Sequence, residues 1–103
     1  MAMVFDILDE EKRRLLDLKA RYEQQLSELP KGSLSKKKRW NREYLYLAYR
    51  KSGKVKFEYI GPANSEVAQN VESMVQRRKA LEEKLSQVNK NLSDVERGLR
   101  GKR

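Results

Sequence analysis

The sequence predicts a mainly helical α+β fold, helix–β-hairpin–helix, with a long C-terminal coiled-coil helix and a dimeric assembly. Three observations carry this reading. Apolar residues recur at alternating spacings of four and three from residue 67 to residue 99. A shorter seam of the same kind runs through the first thirty residues. Between them lies a β-rich stretch, "YLYLAYRKSGKVKFEYIG", residues 44–61. With 103 residues, 38% of them hydrophobic and 38% charged, the chain suits one domain, 1–103. Its core is modest, and a narrow helical seam fits it better than a thick globular centre.

The first helix is predicted over 6–29. Leu8, Leu15, Leu18, Tyr22 and Leu29 fall on its seam, interrupted by Glu11 and Gln25. Asp6 suits the N-cap, and Asp9, Glu10 and Glu11 suit the positive end of the helix dipole. Pro30 and Gly32 end the helix, and residues 31–43 follow as a basic loop. The last helix, 64–98, carries the seam Val67, Val71, Met74, Arg78, Leu81, Leu85, Val88, Leu92, Val95 and Leu99. Arg78 is its one polar member and reads as a register-setting residue. Gly61-Pro62 supplies the break before this helix and Asn64-Ser65 its cap, while Gly98 and Gly101 let its end fray.

Helix lengths give the assembly. A first helix of about 24 residues spans roughly 36 Å, and a last helix of about 35 residues roughly 52 Å. Folded back antiparallel, the first helix reaches only to about Val88, so Leu92, Val95 and Leu99 lack an intrachain partner. Leu85, Val88, Leu92, Val95 and Leu99 are therefore the expected oligomerisation residues, most simply in a two-fold dimer.

The hairpin, 44–61, turns at Ser52-Gly53. Two-residue type I′ loops need positive φ at both positions, which Ser supplies poorly, so a three-residue loop Lys51-Ser52-Gly53 with a left-handed Gly53 is predicted. That register pairs Tyr49 with Val55, Leu47 with Phe57 and Leu45 with Tyr59. It places Leu45, Leu47, Tyr49, Val55, Phe57 and Tyr59 together on a core face. Tyr44, Tyr46, Ala48, Arg50, Lys54, Lys56, Glu58 and Ile60 form the opposite face.

Composition excludes several functions. Without cysteine or histidine the chain has no disulfide, no thiolate metal site and no histidine base. Ser33-Leu34-Ser35-Lys36 matches an S-x-x-K spacing but lacks the companion motifs of acyl-transfer enzymes. Glu43 and Glu58 have no acidic partner close by in sequence. No catalysis, metal, cofactor or small-molecule substrate is expected. No run of 18 apolar residues exists, and "MAMVFDILDEEKRR" is not a signal peptide, so a cytoplasmic protein with no membrane partner is expected.

Charge points to a partner. Residues 1–30 carry 5 basic and 7 acidic side chains, residues 31–63 carry 10 and 2, and residues 64–103 carry 9 and 6. Most of the net charge of +9 therefore sits in the middle third. "SKKKRWNR" contributes Lys36, Lys37, Lys38, Arg39 and Arg42 around the single Trp40, and the outer hairpin face adds Tyr44, Tyr46, Arg50, Lys54 and Lys56. Basic residues interleaved with aromatics are what phosphates and stacked bases select, so these eleven are the candidate nucleic-acid-binding residues. The plain alternative is a solvated lysine-rich surface that guards sheet edges.

Three resemblances bear on this. Gly32-Ser33-Leu34, Tyr44-Leu45-Tyr46-Leu47, Gly53-Lys54-Val55-Lys56 and Tyr59-Ile60-Gly61 resemble a family of short prokaryotic and mobile-element domains of unknown function. More loosely, the same stretch is similar to the arm-binding domains of phage integrases, which implies DNA binding through a sheet. The helix–hairpin–helix layout with a coiled-coil stalk looks like prefoldin β-type subunits, which implies a chaperone or scaffold that assembles through its hairpin. The expected function is non-catalytic binding of DNA or RNA, with hairpin-mediated protein assembly as the alternative.

Overall fold

The computed structural model describes residues 2–101. Its elements are α1 (Ala2–Ser27), β1 (Ser33–Arg39), β2 (Arg42–Lys51), β3 (Lys54–Pro62) and α2 (Glu66–Arg100). The fold is α+β and mainly α. Among the described residues no helix is long and apolar enough to cross a membrane. The chain divides into two compact units. Among the described residues, one joins 2–28 with 80–101, and the other comprises residues 29–79.

The helical unit is an antiparallel pair. α1 begins at Ala2, so Asp6 lies inside the helix and does not cap it. Ala2 and Met3 are good helix formers, and the added turn brings Phe5 and Leu8 to half-buried positions. Leu15 packs with Val88 and Leu92 as the buried centre, flanked by Leu18, Tyr22 and Val95. A Cβ built on Gly98 would lie 3.1 Å from Leu8 Cδ1, so the start of α1 lies against the end of α2. This overturns the premise of the length argument for a dimer. Leu92 and Val95 have intrachain partners, because α1 starts about 6 Å earlier than its acidic cap signal suggested. Leu85 and Leu99, also assigned to oligomerisation, are half-buried within the chain.

Both caps on the sheet side are local. α1 ends where the Ser27 hydroxyl donates to the Gln24 carbonyl at 2.6 Å and Pro30 bars continuation. Ser65 caps α2, as its position before the seam predicts. Its Oγ accepts from the Ala68 amide at 3.2 Å and donates to the Pro62 carbonyl at 2.7 Å. The first turns of α2 belong to the sheet-containing unit, where the buried position is Ala68, not the predicted Val67, which is 58% exposed. Met74, also predicted in the seam, is exposed too. Farther on, Arg78 donates from Nη1 to the Leu29 carbonyl at 3.0 Å. It thus satisfies a carbonyl just beyond α1 within its own chain.

The sheet is three-stranded and antiparallel, in the order β1-β2-β3. The predicted basic loop is thereby corrected: most of 31–43 is β1 and the turn after it. Serine and lysine are poor strand formers in isolation. β1 exists because it pairs with β2 from Ser33↔Ala48 to Arg39↔Arg42, and lysines on an edge strand deter further pairing. Gly32 sets its start with φ +130°, where a Cβ would collide with the Ala48 carbonyl oxygen.

The β2–β3 turn is also corrected. Lys51 pairs with Lys54, so the loop is the two residues Ser52-Gly53. Both have positive φ, 55° and 77°, the signature of a type I′ turn. The register becomes Arg50↔Val55, Ala48↔Phe57 and Tyr46↔Tyr59, followed by a bulge after which Leu45 pairs with Gly61. Ser52 accepts a cost of about 1 kcal/mol or more for its left-handed backbone, and Leu45 and Leu47, alternate residues of β2, share the buried face. They are 1% and 6% exposed.

Candidate nucleic-acid interface

Strand alternation and the pairing register decide which side chains share a surface. On β2, Leu45, Leu47 and Tyr49 point one way, towards the buried side of the sheet. Their neighbours Leu34, Lys36 and Lys38 on β1, and Lys54, Lys56 and Glu58 on β3, fall on that same side. The other side collects Lys37 and Arg39 from β1, Arg42, Tyr44, Tyr46, Ala48 and Arg50 from β2, and Val55, Phe57 and Tyr59 from β3.

The predicted basic surface is therefore split. Lys37, Arg39, Arg42, Tyr44, Tyr46 and Arg50 come together on the open face. Lys36, Lys38, Lys54 and Lys56 lie on the opposite one, exposed around its rim. The predicted core face is split as well. Val55, Phe57 and Tyr59 are not core: they are 54%, 51% and 54% exposed and stand on the same face as Tyr44 and Tyr46. Residue pattern alone does not place these three on this face, because a three-residue turn would put them beside Leu45 and Leu47. The signal that finds them is the tight Ser-Gly loop, whose adoption reverses every side chain of β3 relative to β2.

The open face is an aromatic surface with cations on it. The Tyr46 and Tyr59 rings meet edge to face at 5.4 Å between centroids. Tyr44 and Tyr59 are tilted at 6.2 Å. The Lys37 ammonium lies 4.3 Å from the Phe57 centroid and 4.9 Å from that of Tyr46, within cation–π range of both. Arg39 and Arg42 face each other at one end of this surface, and Arg50 stands near the other.

Trp40 occupies the first position of the β1–β2 turn. It is 96% exposed and has φ +60°. Positive φ is uncommon for a bulky residue and costs energy. The turn thus holds the largest apolar side chain of the chain in solvent, between Arg39 and Arg42.

The chain belongs to a family described as a domain of unknown function (DUF6788), whose model matches residues 8–69. The match spans most of α1, the whole sheet and the first turn of α2. Comparison with curated proteins and with solved structures finds no match.

Proposed function

We propose that this DUF6788 member is a non-catalytic nucleic-acid-binding protein that works through the open face of its sheet. The observation that carries this is the cationic aromatic surface: Lys37 held over Tyr46 and Phe57, with Arg39, Arg42 and Arg50 around it. Half-exposed rings flanked by guanidinium and ammonium groups suit a ligand that offers both phosphates and π-faces. The segment 31–63, with 10 basic and 2 acidic side chains, supplies a field that attracts a polyanion.

In this reading Lys37, Arg39, Arg42 and Arg50 contact phosphates. Lys36, Lys38, Lys54 and Lys56 add long-range attraction from the far side. Trp40 stacks or wedges at the sheet's end. The protein acts in the cytoplasm without a cofactor. Fluorescence polarisation against labelled DNA and RNA at two salt concentrations tests this. Affinity should fall with salt by a log–log slope of about 0.7–0.9 per phosphate contacted. Replacing Arg39 and Arg42 together by glutamate should weaken binding at least tenfold. Absence of binding to any nucleic acid, or binding indifferent to salt, would overturn the reading.

A further inference from the structure

We infer that the ligand of the open face is single-stranded, with its bases laid on Tyr46, Phe57 and Tyr59, and that duplex is bound only weakly. This rests on the nucleic-acid reading above and adds the substrate class. A duplex keeps its base faces stacked inside and offers edges and phosphates. Edges are read by arginine, asparagine or glutamine, whereas the middle of this face presents Ala48, Val55 and Phe57, which have no side-chain donors or acceptors. Rings, by contrast, bind the faces of bases, which only an unpaired strand exposes. Lys37 covers the Phe57 and Tyr46 rings; an incoming base takes its place there and frees the ammonium for a phosphate.

Spacing agrees. Phe57 and Tyr59 are alternate residues of one strand, so their attachment points are about 6.6–6.8 Å apart. That is about twice the 3.4 Å step between stacked bases. One base per ring therefore requires an extended, unstacked strand. Arg42 and Arg50 lie eight residues apart on β2, about 26 Å along the sheet, enough to bracket about four extended nucleotides. Guanidinium groups at both ends then hold phosphates while the rings between hold bases.

The test is polarisation of the full chain with a labelled ten-nucleotide DNA strand, its RNA counterpart and the matching DNA duplex, at low and moderate salt. At least one single strand should bind ten times or more tighter than duplex. Phe57→Ala and Tyr59→Ala should each weaken single-strand binding by about 5- to 100-fold and leave duplex binding unchanged. Phe57→Trp, which keeps a ring, should retain tight binding and guards against a loss that reflects only misfolding. Duplex binding as tight as single-strand binding, or an alanine variant that binds single strands normally, would overturn this inference and leave the broader reading standing. No binding to any of the three probes would end both. Sedimentation of the free protein decides a further outcome: a dimer dissolved by Phe57→Ala would mean that a second copy covers the face, and would also overturn the inference.

Discussion

The two faces of the sheet carry comparable apolar material and treat it differently. Leu45 and Leu47 are buried on one face, while Val55, Phe57 and Tyr59 remain about half exposed on the other. Fully burying such a side chain is worth about 1.5–3 kcal/mol, so each half-exposed one forgoes about 1 kcal/mol. A sheet needing only stability would place polar residues there. The difference teaches that one face holds the unit together while the other leaves apolar surface exposed, as the proposed binding face would require.

The largest effect should separate the faces directly. Leu45→Ala should destabilise the protein by about 2–5 kcal/mol, whereas Phe57→Ala should cost about 1 kcal/mol or less. Urea denaturation reads both, and equal losses would mean that Phe57 is core after all. Next, Gly32→Ala should cost about 1–3 kcal/mol, because its Cβ meets the Ala48 carbonyl at a φ of +130°. Loosening β1 in this way would also lift Lys37 off the open face. Nucleic-acid affinity should therefore drop in Gly32→Ala even where circular dichroism shows the helices intact.

Ser52→Gly has a smaller effect but a diagnostic sign. With Ser52 left-handed at φ 55°, glycine should stabilise by about 0.5–1 kcal/mol. In the three-residue loop, where only Gly53 is left-handed, the same change would destabilise through added chain entropy. A thermal melt distinguishes the two, and with them the face on which Phe57 lies. The smallest effect comes from the helical unit and serves as a control. The Arg14 side chain donates to the Glu11 carboxylate, which holds Glu11 below its ordinary pKa and raises Arg14. The contribution of Glu11 to stability is present above the ordinary carboxylate range and lost as pH falls through its depressed pKa. Because the pair is exposed, Glu11→Gln should barely move the melting midpoint at neutral pH and should leave nucleic-acid binding unchanged.

The helices were readable because their signals are local. The spacing Leu81, Leu85, Val88, Leu92, Val95, Leu99 marks the stripe that faces α1, and Ser65 announces its own capping bond within three residues. Asp6 misled because an acidic residue is as acceptable in the first turns of a helix as at its cap. Of the candidate site, the composition is readable: Lys37, Arg39, Arg42, Arg50, Tyr44 and Tyr46 stand out by type and share a surface. Its boundary is not. Charge alone groups Lys36, Lys38, Lys54 and Lys56 with them, and hydropathy alone sends Val55, Phe57 and Tyr59 to the core. β1 was invisible because "SLSKKKR" has almost no intrinsic strand preference, and only its pairing with β2 makes it a strand.

The sequence alone therefore determined the two helices, the cap of the second, the place of the β-rich segment and the concentration of positive charge between the helices. These follow from periodicities and end signals that a few neighbouring residues carry. Only the tertiary structure decided how far α1 reaches along α2, whether 33–39 is a strand, and which rings face solvent. A strand's side chains alternate with a period of two, so a slip of one residue exchanges its faces. Hydropathy favours the register that puts Val55, Phe57 and Tyr59 beside Leu45, Leu47 and Tyr49, and the fold adopts the other. The choice is expressed in the turn, where Ser52 and Gly53 both take positive φ and leave a two-residue loop.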